Sequence, residues 1–132
     1  MNIGAAAKAS GVSAKMIRYY EEIGLIDTAR RSDSGYRTYG DRDVRTLQFI
    51  RHARLLGFPL PEVTRLLALW HNGDRASADV KQLALAHIEE IDRKIAHMAA
   101  MRDTLKQLAD RCHGDGHPDC SILDALATPP RN

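Results

Sequence analysis

The sequence predicts a mainly α-helical chain. A winged helix-turn-helix comes first, then one very long helix, then a cysteine-bounded loop leading into a short helix. Three observations predict it. Two short helical patterns joined by a glycine turn open the chain, and a basic, hairpin-like segment follows them. Residues 78–111 then hold a single uninterrupted helical pattern. The only two cysteines, Cys112 and Cys120, both lie beyond it.

Asn2 suits the N-cap of a helix over Ile3–Ser10, and "SGVSA" turns the chain at Gly11. Ser13 caps a second helix from Ala14 to about Ile23, with Gly24 at its C′ position. Met16, Ile17, Tyr20 and Ile23 share one side of this helix, the side expected to pack. Lys15, Arg18, Tyr19 and Glu22 share the other. Two cations and a phenol on an exposed face are what phosphate and base-edge contacts need, although a solvated face has the same pattern.

"RRSDSGYRTYG" has no helical period. Ser34-Gly35 signals a turn and "YRTY" alternates like a short strand, so the segment is expected to form a wing. Arg30, Arg31 and Arg37 interleave there with Tyr36 and Tyr39, a composition that suits contacts along a phosphate backbone. Asp41 is expected to cap a third helix to about Leu56, with Val44, Leu47 and Ile50 inward and Arg51 and Arg54 together on another face. "FPLPEV" breaks the chain, and Pro61 fits the first turn of a fourth helix that reaches about Trp70.

Ser77 is expected to cap the long helix, Ala78 to Arg111, about 50 Å at 1.5 Å per residue. Its apolar stripe runs Ala84, Ile88, Ile91, Ile95, Met98, Met101, Leu105, Leu108 and Cys112. Spacings of three and four make this a coiled-coil seam. No other helix of the chain has that length, so a second copy is the economical partner and a two-fold homodimer is expected. "TPPRN" is expected to be a disordered tail.

Composition bounds what such a chain does. Its 132 residues are 44% hydrophobic and 27% charged, ordinary globular material. No apolar run reaches the roughly 18 residues of a membrane span. The start lacks a signal-peptide pattern, so a cytoplasmic location is expected, where a structural disulfide is disfavoured. Residues 1–75 carry 12 Lys and Arg against 8 Asp and Glu, and residues 76–132 carry 7 against 9. A basic front half suits nucleic acid. No Ser/His/Asp or paired-carboxylate arrangement suggests an enzyme.

These features together resemble the MerR family of transcription regulators, within it the copper-, silver- and gold-sensing branch. The resemblance rests on "IRYYEEIGLI", "SGYRTY", "RHARLLGF", the long helix from Ser77 and the Cys-x7-Cys spacing, in that order. It implies a winged helix-turn-helix with connector helices over 1–75, an antiparallel dimerisation helix over 76–111, a metal loop and short helix over 112–127, and a tail over 128–132. It also implies a mechanism, in which a dimer on a palindromic operator distorts a promoter on binding its effector and so realigns it for RNA polymerase. Carried over by position, the DNA contacts fall on Lys15, Arg18 and Tyr19, on Arg31, Ser34, Tyr36 and Arg37, and on Arg54.

The loop "CHGDGHPDC" places seven residues between its thiols, with Gly114 and Gly116 to turn and Pro118 to stiffen the return. Thiolate prefers soft Cu(I), Ag(I) or Au(I), and two thiolates suffice for a linear site with sulfurs about 4.6 Å apart, twice a metal–sulfur bond of about 2.3 Å. A helix N-terminus over Ser121–Asp124 would stabilise the net negative charge of two thiolates and one M+. A Cys2His2 zinc site using His113 and His117 is the alternative, as is a thiol-based metal-buffering protein. Adjacent ligands at 112 and 113 are awkward for one tetrahedron. In the family, sensors of divalent metals carry a cysteine where this chain has Ser77, which favours a monovalent ion. Ser77 is equally a good helix cap. Metal is expected to order the loop and the short helix, and to dock that helix on the partner's DNA-binding half.

Overall fold

A computed structural model describes residues 1–27, 30, 31, 35 and 37–128, with Arg30 and Arg31 described in their backbone only. Its elements run α1 (Ile3–Ser10), α2 (Ala14–Glu22), β1 (Arg30–Arg31), β2 (Arg37–Thr38), α3 (Asp41–Leu55), α4 (Leu60–His71), α5 (Ser77–Arg111) and α6 (Ser121–Ala127). Two compact units divide the chain, Met1–Ala84 and Leu85–Asn132. The mainly α, winged helix-turn-helix architecture with a long helix behind it is as the sequence predicts.

Local chemistry sets the first unit. Asn2 caps α1 by accepting from the Ala5 N–H at 2.8 Å, and Ser13 caps α2 by accepting from the Met16 N–H at 3.2 Å. Between them Gly11 takes a φ of +79°, which closes the turn in the left-handed region. The Arg51 side chain lies over that glycine, so a β-carbon there would meet Arg51 Nε at 2.9 Å. Ala6, Ile17, Tyr20, Leu47, Ile50 and Val63 form the centre of the core, drawn from α1 to α4. The wing is a two-stranded antiparallel ladder with Arg30 opposite Thr38 and Arg31 opposite Arg37. Tyr39 N donates to Met1 O and Met1 N donates to Tyr39 O, both at 2.7 Å, which ties the end of the wing to the start of the chain.

Four expectations change. The packed side of α2 is centred on Ile17, Tyr20 and Glu21, while Met16 and Ile23 are 37% and 45% exposed. The Glu21 carboxylate is buried there with partners from the wing segment, Tyr39 and Arg37. Tyr39 is buried rather than displayed on the wing. Gly40, not Asp41, holds the cap position of α3, and its N–H donates to Asp43 Oδ2 at 2.8 Å, so the capping side chain reaches back from the first turn. Ser77 is itself the first residue of α5.

The second unit holds most of α5, the loop and α6. Ile88, Ile95, Met98, Met101 and Leu105 of the α5 stripe are each 47–64% exposed in the single chain. The expected tail lies mostly outside the described residues, which end at Thr128.

Candidate metal centre and nucleic-acid interface

Each thiol sits at a helix end. Cys112 continues the last turn of α5, its N–H shared between the carbonyls of Leu108 (3.2 Å) and Ala109 (3.1 Å). Cys120 is the N-cap residue of α6, in an extended conformation with φ −147° and ψ 114°. The intervening loop turns at Gly114, whose φ is +64°. It returns so that Cys112 Sγ and Cys120 Sγ lie 3.7 Å apart, both thiols free and half-buried. That is about 0.9 Å less than the roughly 4.6 Å expected for a linear sulfur–metal–sulfur unit.

Ser121 completes the junction. Its hydroxyl donates to Leu108 O at 2.7 Å, a carbonyl in the last turn of α5 that also accepts from the Cys112 N–H. It thereby fastens the start of α6 to the end of α5. In the sequence the only sign of this part is a serine directly after the second cysteine.

The electrostatics favour thiolate at one position. Cys120 is pulled below the ordinary thiol range, first by the Leu123 N–H, then by the Ile122 N–H, with a further contribution from Cys112. The opening turn of α6 thus presents donors to the sulfur, as expected for stabilising negative charge there. His117 turns elsewhere: its Nδ1 lies 3.2 Å from Asp115 Oδ1, and its backbone N–H donates to the same oxygen at 2.9 Å. Among the described residues no group of three or more His, Cys, Asp or Glu side chains gathers to hold a metal. The donor set that does converge is two sulfurs, which fits a soft ion content with two ligands.

On the first unit, Lys15, Arg18 and Tyr19 project from α2 on its exposed side, with Tyr19 42% exposed. Arg37 is different. Its Nη1 lies 3.5 Å from Glu21 Oε2, and its side chain is only 33% exposed. Arg54 Nη1 donates to Phe58 O at 2.9 Å, so this guanidinium closes the turn after α3 as well as standing on the surface. The wing residues Ser34 and Tyr36 lie outside the described residues, as does the side chain of Arg31. Ser77 lies in the first unit and the thiol pair in the second.

Comparison with known proteins decides the family. Residues 1–69 match the MerR HTH family of regulatory proteins, and residues 44–108 match the family's region described as "MerR, DNA binding". The chain belongs to the MerR family. MerR proteins are DNA-binding regulators rather than enzymes, and relatives align along nearly the whole chain. It is 60% identical over 127 residues to the "heavy metal-dependent transcription regulator 2" of Rhizobium meliloti, covering 96% of this chain and 86% of that one. It is 44% identical over 127 residues to the transcriptional regulator CueR of Salmonella typhimurium, covering 96% and 92%. Among solved structures, the regulator PbrR691 of Ralstonia metallidurans in complex with lead(II) superposes with a TM-score of 0.82 at 30% identity, covering 96% of this chain and 99% of that one.

Proposed function

We propose that this MerR protein is a metal-responsive transcription activator, and that its signal is a monovalent coinage-metal ion, Cu(I), Ag(I) or Au(I), held by Cys112 and Cys120. The observation that carries the proposal is the thiol pair itself, 3.7 Å apart with a helix end at each sulfur. Two thiolates and M+ leave one net negative charge, and the N–H groups of Ile122 and Leu123 offset it. A divalent ion on the same pair would still lack ligands. The names of the Rhizobium and Salmonella relatives support a metal-dependent regulator of the CueR kind. Ser77 stands where the family's divalent sensors carry a third thiol, which supports the lower charge.

The partner is double-stranded promoter DNA with a palindromic operator, read by a homodimer. Lys15, Arg18 and Tyr19 of α2 enter the groove. Arg31, Ser34, Tyr36 and Arg37 of the wing, with Arg54 of α3, follow the phosphates. The exposed stripe of α5 supplies an antiparallel coiled-coil seam between the copies. Metal ties the end of α5 to the start of α6 through sulfur, and Ser121 already holds the same two ends together. The ordering of loop and α6 by metal, and the docking of α6 on the partner's DNA-binding half, carry the signal to a dimer that then kinks and untwists the promoter for RNA polymerase. Such a regulator works in the cytoplasm, where its DNA lies.

A competitive titration tests the ion. Cu(I), Ag(I), Au(I) and Zn(II) are offered to the reduced protein on its own promoter, with transcription as the readout. Activation by the monovalent ions at one per thiol pair is expected. A tight Zn(II) site that drives transcription through His113 or His117 overturns the assignment.

A further inference from the structure

The first unit contains a polar cluster of Glu21, Arg37 and Tyr39, of which the function above uses Arg37 alone. The hydroxyl of Tyr39 donates to Glu21 Oε1. The other carboxylate oxygen, Oε2, faces Arg37 Nη1 at 3.5 Å. Glu21 is on α2, beside Arg18 and Tyr19, and Arg37 is in β2 of the wing. The Glu21 side chain is 4% exposed and Tyr39 is 2% exposed. Among the described residues, Glu21 Oε2 and Arg37 Nη1 are both buried and neither completes a hydrogen bond.

A buried carboxylate with an imperfect ion pair is a poor choice if the only task is to hold the wing down, because well-packed apolar residues do that as well or better. The geometry suits orientation instead. Nη1 is buried against Glu21, so the exposed third of the Arg37 side chain comes from its other atoms. A guanidinium is a rigid planar fork, so fixing one nitrogen fixes the direction of the others. Tyr39 is in turn fixed at its backbone by Met1 and stays protonated, its pKa pushed up to about 12 mainly by burial and then by Glu21. It is a permanent donor to the carboxylate.

We propose that Glu21 and Tyr39 are positioning residues for DNA binding: Tyr39 holds the Glu21 carboxylate, and Glu21 aims Arg37 at a DNA phosphate while locking the wing to the recognition helix. This rests on Arg37 being a DNA contact, as proposed above. Pre-aiming lowers the ordering cost of the contact on binding. It also makes the carboxylate favourable to DNA affinity, the reverse of what its charge alone would do near phosphates.

The test is a double-mutant cycle on a duplex carrying the palindrome of the chain's own promoter, read by fluorescence anisotropy over a salt series. Glu21→Gln keeps the size and an acceptor for Tyr39 but removes the charge. Arg37→Ala is expected to weaken binding about tenfold and to lower the salt slope by roughly the 0.9 of one phosphate. Glu21→Gln is expected to weaken binding about three- to tenfold in the native background and not further in Arg37→Ala, as residues acting through one contact should. Equal effects in both backgrounds, no effect, or tighter binding by Glu21→Gln overturn the positioning role. No change in affinity or slope with Arg37→Ala overturns the underlying contact, and the proposal with it. Thermal melts check folding. If Glu21→Gln unfolds, Tyr39→Phe replaces it, with a smaller loss of the same sign expected that is again absent beside Arg37→Ala.

Discussion

At the scale of single residues, two positions decide whether the DNA-binding unit keeps its shape. Gly11 has a φ of +79°, and the Arg51 side chain covers it. Gly11→Ala is expected to lose about 1–2 kcal/mol from the left-handed backbone alone, seen as a lower denaturant midpoint with unchanged slope. Arg51 must also shift, and a variant as stable as the parent would mean that the turn opens at no cost. Tyr39 makes the second prediction. Its pKa is raised from 10.0 to about 12, so the fold binds the phenolic proton more tightly than the unfolded chain does. Its contribution to stability is full below about pH 10 and is lost as pH rises through the folded value near 12. Phenolate absorbance should show a step near pH 12 that Tyr39→Phe removes. The sequence concealed this chemistry. Nothing in the local pattern of α2 marks Glu21 as buried, because the residues that make its burial tolerable stand 16 and 18 positions away. The exposed trio Lys15, Arg18 and Tyr19 was legible, because the helix period alone separates it from Ile17 and Tyr20.

At the scale of elements, the helices were legible where a side chain marks the end. Asn2, Ser13, Gly24 and Pro61 bound their helices within a residue or so of the sequence expectation, because capping is local chemistry. Asp41 misled because the cap position falls one residue earlier, on Gly40, whose N–H donates back to the Asp43 side chain. The thiol loop was legible as a pair, but not its closing contact: Ser121 to Leu108 spans 13 residues and depends on how α6 leaves the loop. The α5 stripe is the element with the most apolar surface left outside, with Ile95 58% and Met98 64% exposed. Burying such side chains against a second copy contributes about 1.5–3 kcal/mol each. Ile95→Glu puts a charge in that seam in both copies, where the two-fold axis repeats it. The variant is expected to sediment as a monomer at concentrations where the parent is dimeric, and its affinity for a full palindrome should fall towards that for a half-site. Unchanged sedimentation would sink the α5 seam as the dimer contact.

For the whole molecule, sensing and DNA contact are assigned to different units joined by one continuous helix. Every proposed DNA contact precedes Ala84 and both thiols follow Leu85. Removing a thiol therefore leaves the core of Ile17, Leu47, Ile50 and Val63, and the caps at Asn2 and Ser13, as they are. Cys112→Ser and Cys120→Ser should each bind the operator with the parent's affinity to within about twofold, since substitutions without shared partners act independently. Each should also fail to activate. A hydroxyl keeps the size and the polar contacts of the thiol, but it is a hard ligand that a d10 monovalent ion does not prefer. The effect on activation should be as complete at Cys112 as at Cys120, because a two-ligand site fails when either ligand is lost. A gel shift and an in vitro transcription assay, run on the same preparations with and without Cu(I), separate the two properties. Loss of operator binding in either variant would mean that the loop supports the DNA-binding unit directly. Retained activation in either one would place the signal on some other donor.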